Sequence, residues 1–144
     1  MVRLGLDDTL HAIVQVTHEH GLPLHGASVN PGFVHAFTDA VDLPWWVRWL
    51  TDPAAEESRG VVWQKDAEDT GAEVVFHVSG QREGIEWTVT DHVPVVVAGS
   101  VLDAYGVTVT GEHRAVPVAA AVAVADAHAK HATGQASTAG GDRS

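Results

Sequence analysis

The chain has 144 residues, of which 45% are apolar, with 19 Asp and Glu against 8 Lys and Arg for a formal charge of −11, and it has no cysteine. That length fits one domain able to bury a core without a staple, and the missing thiols exclude disulfides and thiolate metal sites. The acidity disfavours direct, non-specific binding to nucleic acid and to anionic lipid, and no apolar run is long enough to span a bilayer.

The charge is uneven. Residues 1–92 carry a balance of −10 and residues 93–144 only −1. Such an acidic front fits a basic partner surface or plain solubility. Ten histidines could bring the charge from −11 to −1 on protonation, so solubility should respond to pH between about 7 and 5.5. The N-terminus has two acids by position 8 and no apolar run of useful length, so it is not read as a signal peptide, and a cytoplasmic location is expected. Two lysines against six arginines, with abundant Ala, Val, Gly and Asp, point to a GC-rich bacterial or phage genome.

Leu6 to His20 reads as a helix with Asp7 or Asp8 as its cap. Leu10, Ile13, Val14 and Thr17 share one face, and His11, Gln15 and His18 the other. Gly21 and Pro23 stop it. Leu24–Asn30 and Phe33–Ala40 form a candidate hairpin around Asn30-Pro31-Gly32. Over Asp42–Leu50 the favoured reading is a helix capped by Asp42, with Pro44 in its first turn and Trp46, Trp49 and Leu50 on one face. The alternative is a strand presenting Trp45, Val47 and Trp49.

A three-strand meander follows: Gly60–Asp66, Ala72–Ser79 and Gly84–Asp91, joined through Asp69-Thr70-Gly71 and Gly80–Gly84. Alternation places Val61, Trp63, Val74, Phe76, Val78, Ile85, Trp87 and Val89 on an apolar face. Val62, Gln64, Glu73, Val75, His77, Ser79, Glu86, Thr88 and Thr90 fall on a mostly polar one. Each large side chain buried there contributes roughly 1.5–3 kcal/mol. A helix over Val95–Tyr105 carries Val97, Val101, Leu102 and Tyr105 as its stripe. Val107–Thr110 is extended, and 111–114 is a loop. An alanine-rich helix over Val116–Ala132 carries Val118, Val122, Ala125 and Ala129, and Gly134 caps it. The expected fold is α+β: a mainly antiparallel sheet, with the meander at 60–91 and strands within 24–40, covered on one face by helices from both ends. Residues 1–133 form one domain, and 134–144 a disordered tail.

No motif carries specific chemistry. Phosphate loops, Gly-x-Gly-x-x-Gly and Gly-x-Ser-x-Gly are missing. Five tryptophans are the most unusual feature, three of them within 45–49. Core packing absorbs most. A short helix with three tryptophans also suits a binding surface of Trp45, Trp46, Arg48 and Trp49, since Trp and Arg dominate interfaces. His77 with Glu73 or Glu86, and His35 on its own strand, are the candidates for acid–base catalysis. His18, His20 and His25, and separately His128 and His131, are the residues that would serve a metal. At a helix end His18 and His20 point about 200° apart, which argues against a shared ion. His128 and His131 face the same way on an exposed helix.

No metal site and no cofactor is therefore expected. The leading expectation is a small acidic interaction or ligand-binding module without catalytic activity. It would take a protein partner or small ligand, or pair as a homodimer through a sheet edge or the alanine-rich helix. The alternatives are a small His/carboxylate enzyme, and an acidic mimic or antagonist of a nucleic-acid-binding protein presenting Asp66, Glu68, Asp69 and Glu73.

Overall fold

The computed structural model describes residues 5–64 and 73–141, with side chains described through residue 134. The elements run α1 (Leu6–His20), β1 (Gly26–Asn30), β2 (Phe33–Phe37), α2 (Leu43–Thr51), β3 (Glu56–Gln64), β4 (Glu73–Arg82), β5 (Ile85–Pro94), α3 (Val95–Ala104), β6 (Arg114–Val116) and α4 (Val118–Gly141). The fold is α+β. The strands form one sheet in the order β1-β2-β5-β4-β3-β6. The sheet is mixed rather than antiparallel throughout, because β2 lies parallel to β5. Its other neighbours are antiparallel. No helix among the described residues is long and apolar enough to cross a membrane.

Turn chemistry sets the hairpins. Pro31-Gly32 joins β1 to β2, with Gly32 at φ +74°, the proline-then-glycine preference of a type II turn. Glu83 and Gly84 join β4 to β5, at φ +56° and +72°, the double positive φ of a type I′ turn. The expected five-residue connector is therefore only two residues, and Gly80–Arg82 belong to β4. The turn expected at Asp69-Thr70-Gly71 lies outside the described residues.

Strand register builds the core. Val62 pairs with Phe76, Val78 with Val89 and Val34 with Trp87, and all six are fully buried. Trp46, Val47, Trp49 and Leu50 of α2 join that cluster, with Leu102 of α3 and Ala121 and Val124 of α4. Residues 43–51 are thus helical, and the strand alternative falls away. Trp46 and Trp49 meet Trp87 at ring-centroid distances of 6.2 and 5.0 Å. Buried indoles seek acceptors. Trp46 Nε1 donates to Pro23 O at 2.7 Å, and Trp87 Nε1 to Arg82 O at 3.0 Å.

One strand reverses its expected faces. Val62 points into the core, while Val61 and Trp63 lie on the other face, opposite His77 and Val75. Three apolar residues in a row hide the phase of the alternation. Packing decides it: a Cβ on Gly60 would stand 2.8 Å from Val116 Cγ2 and 3.2 Å from Ala121 Cβ. Gly60 and Val62 therefore face α4, and Trp63 cannot.

Three helices also turn differently from expectation. The buried residues of α1 are Thr9, Ile13 and Val16, leaving Leu10 and Val14 in solvent. The Thr9 hydroxyl accepts from Gly32 N at 2.9 Å and donates to Gly5 O at 2.8 Å, which ties this face to the first hairpin. The N-cap is Gly5, and Asp7 and Asp8 occupy the first turn instead. In α3 the buried positions are Ala98 and Leu102, while Tyr105 is exposed. Val116, expected in the last helix, is the end of β6, so α4 starts later and buries Ala120, Ala121, Val124, Ala125 and His128. The helix passes Gly134 and continues to Gly141.

Candidate functional site

Period-two alternation gives each strand a second set of side chains, pointing away from Phe76 and Trp87. Cross-strand pairing arranges them in rows. One row runs Arg59, Ser79, Thr88, His35 and Ser28 across β3, β4, β5, β2 and β1. The next holds Ala115, Val61, His77 and Thr90. A third holds Trp63, Val75 and His92. The centre of this face is closed: Val75, Ser79 and Thr88 are at most 7% exposed, yet Val75 is not part of the core cluster. Its rim is open, with Phe37, Glu86 and His92 exposed.

His35 and His77 occupy the middle, their rings 6.4 Å apart and nearly perpendicular. Phe37 flanks His35 at 4.9 Å. His77 Nδ1 shares a hydrogen bond of 2.8 Å with Thr90 Oγ1. His35 Nε2 is removed from solvent and has no hydrogen-bond partner among the described residues. Burial holds both imidazoles below the ordinary histidine pKa. For His77 the nearness of His35, Arg59 and His113 further disfavours a positive charge on its ring. Both rings are therefore neutral near pH 7 and able to donate or accept. Beside them Trp63 stacks on His113 at 3.9 Å with an 18° interplanar angle. At one end of the face lies a cleft of about 380 Å³, lined by Glu57, Arg59, Ser79, Gln81 and Glu86 among others.

The expected catalytic set comes together only in part. His35 and His77 are neighbours, but neither carboxylate joins them. Glu86 pairs across the sheet with Phe33 and Gln81, and Glu73 stands 3.9 Å from His92 Nδ1. Thr90, which sequence alternation placed on this face without a role, is the actual partner of His77.

The tryptophan surface is dismantled by packing. Trp46 and Trp49 are in the core, and Arg48 Nη2 donates to Asp126 Oδ2 of α4 at 2.6 Å. Trp45 alone of the four faces solvent without such a tie, at 61% exposure. Of the acids expected to mimic phosphates, Asp66, Glu68 and Asp69 lie outside the described residues.

The histidines expected to serve a metal separate. His18 is exposed on α1, and His20 packs its ring near Trp49 at 5.7 Å. His128 is buried and bonded to Asp91, so it does not pair with His131 on an exposed helix face. His25 instead meets two acids of the β2–α2 connection. Its Nε2 lies 3.0 Å from Asp42 Oδ2 and 3.7 Å from Asp39 Oδ2. The hydrogen bond to Asp42, with the charges of both acids, raises the His25 pKa. Asp42 occupies the N-cap of α2 but gives that helix no side-chain cap bond. In the sequence Asp42 reads as a cap alone, and nothing marks Asp39.

No protein family matches the sequence, and no curated protein and no solved structure matches the chain.

Proposed function

We propose that this protein is a small binding module without catalytic activity of its own, and that it binds through the sheet face centred on His35 and His77. On this proposal the helices cover the Phe76 face alone, as the sequence leads one to expect. The observation that carries it is His35 Nε2, a polar atom shut away from water with no hydrogen-bond partner among the described residues. Such an atom costs about 1–3 kcal/mol, and a turn of the half-buried His35 ring toward a ligand's hydrogen-bonding atom would offset it. Phe37 and Trp63 lie on the same face and offer it apolar contact. A partner presenting an apolar group beside a hydrogen-bonding atom therefore fits best.

Catalysis is less well supported. A general base needs an orienting group, and neither imidazole has a carboxylate within hydrogen-bond reach among the described residues. A second surface retains one specific observation, since Trp45 and Val41 are both more than half exposed at the start of α2.

Amide chemical-shift mapping of the ¹⁵N-labelled chain tests the reading. The probes are a fragment mixture of aromatic acids and amides, and a set of short peptides. Shifts should gather in β2, β4 and β5 around His35, Ser79 and Thr88, and should vanish in His35→Ala. Shifts confined to α2 near Trp45 would transfer the site there. Shifts that persist unchanged in His35→Ala would overturn the proposal.

A further inference from the structure

We propose that His25, Asp39 and Asp42 form a binding site for one divalent transition-metal ion of the zinc type. This inference stands apart from the sheet-face reading and shares no residue with it.

The donor atoms converge. One ligand atom from each residue lies within 4.8 Å of the other two. An ion at the centre of such a triangle sits at most about 2.8 Å from each donor, so rotamer adjustments of under about 1 Å reach the roughly 2.0–2.2 Å of zinc–nitrogen and zinc–oxygen bonds. Among the described residues this is the one group of three that meets the condition.

The donor set selects the class of ion. One imidazole nitrogen with two carboxylate oxygens suits zinc, cobalt, nickel or manganese, whereas calcium and magnesium favour oxygen alone. Two carboxylates balance a 2+ charge, and they outweigh the roughly half positive charge at the start of α2. Three protein ligands leave the fourth position of a tetrahedron for water or an incoming group, as in open zinc sites.

The backbone holds the donors in place. His25 N donates to Phe37 O at 3.1 Å, which fixes the imidazole-bearing segment against the end of β2. Asp42 N donates to Asp39 O at 3.2 Å and to Asp39 Oδ1 at 3.0 Å. The second bond orients the Asp39 carboxylate and leaves its Oδ2 toward His25. Asp42 forgoes its capping bond and directs Oδ2 to the same imidazole.

Calorimetric titration of the chelator-treated full chain with zinc chloride tests this. One ion per chain should bind. His25→Ala and Asp42→Asn should each weaken that binding at least about tenfold, since even outer-shell substitutions at metal sites cost about 10–100-fold. His20→Ala and His131→Ala, which remove an exposed and a half-buried histidine elsewhere, should leave it unchanged. Cobalt(II) gives a second readout. It should develop tetrahedral d–d absorption and quench tryptophan fluorescence, and Trp45→Phe, which removes the indole of the residue whose backbone N bonds to Asp42 O, should reduce that quenching. All the substituted side chains are at least partly exposed, and a circular-dichroism melt confirms that each variant folds. Failure to bind zinc, or binding that survives both His25→Ala and Asp42→Asn, overturns the proposal.

Discussion

His128 on α4 and Asp91 on β5 meet at 3.1 Å, Nε2 to Oδ2, on the same face of β5 as Val89 and Val93. The contact ties the alanine-rich helix to the sheet with a polar link, where its small side chains give little grip. His128 is 7% exposed, and its Nδ1 is buried without a hydrogen-bond partner among the described residues. His128→Ala should therefore leave Asp91 facing a poorly solvated gap and cost about 1–3 kcal/mol. Urea unfolding should show a lower midpoint with an unchanged slope.

Gly80 should tolerate no side chain. A Cβ there would stand 2.7 Å from the carbonyl oxygen of Leu50, which also accepts the Ser58 hydroxyl. The obstacle is backbone at the end of α2, so it cannot swing away. Gly80→Ala should destabilise by about 1–3 kcal/mol through forced separation of α2 from β4. Thermal melts compared with Gly99→Ala, where nothing lies within 4 Å, provide the control.

The β4–β5 turn offers a stabilising change. Glu83 holds φ +56°, a region that ordinary L residues enter at a cost and Asn enters readily. Glu83→Asn creates the Asn-Gly pair that type I′ turns prefer. It should raise stability by about 0.5–1 kcal/mol, read as a higher denaturation midpoint.

Acid should weaken the fold through His35 and His77. Both have folded-state pKa values below that of an unfolded histidine, 6.5. Above pH 6.5 both states are neutral, and the pair adds no pH dependence. Below it the unfolded chain takes up protons that the folded chain resists, so stability falls until the folded-state values are passed. His77→Gln should flatten the slope of stability against pH below 6.5. A slope identical to that of the parent would refute the assignment.

Local signals made several elements readable. Asp42 and Pro44 together favour a helix over Asp42–Leu50, where α2 is found, and Asn30-Pro31-Gly32 announces the first hairpin. Trp63 was misplaced because Val61, Val62 and Trp63 give alternation no phase, and only the contact of Gly60 with Val116 and Ala121 supplies one. The three residues of β6 are too short a strand to show a period. His35 and His77 could each be singled out on a strand. Their adjacency depends on β2 pairing with β5, and no local pattern records that pairing. The meeting of His25 with Asp39 was nearer to reach. The hairpin register that sets Gly26 opposite Phe37 also carries the flanking residues toward each other.

The parallel pairing of β2 with β5 also bears on synthesis. β2 is complete at residue 37, but the strand it must lie against spans residues 85–94. An isolated two-stranded hairpin is marginally stable in water, and an unpaired strand edge invites association. As the chain leaves the ribosome, β1 and β2 must wait for α2, β3, β4 and β5 before their second edge can close. The first hairpin to be made cannot be the first to be seated, and the nascent chain carries an open edge for about fifty residues of translation.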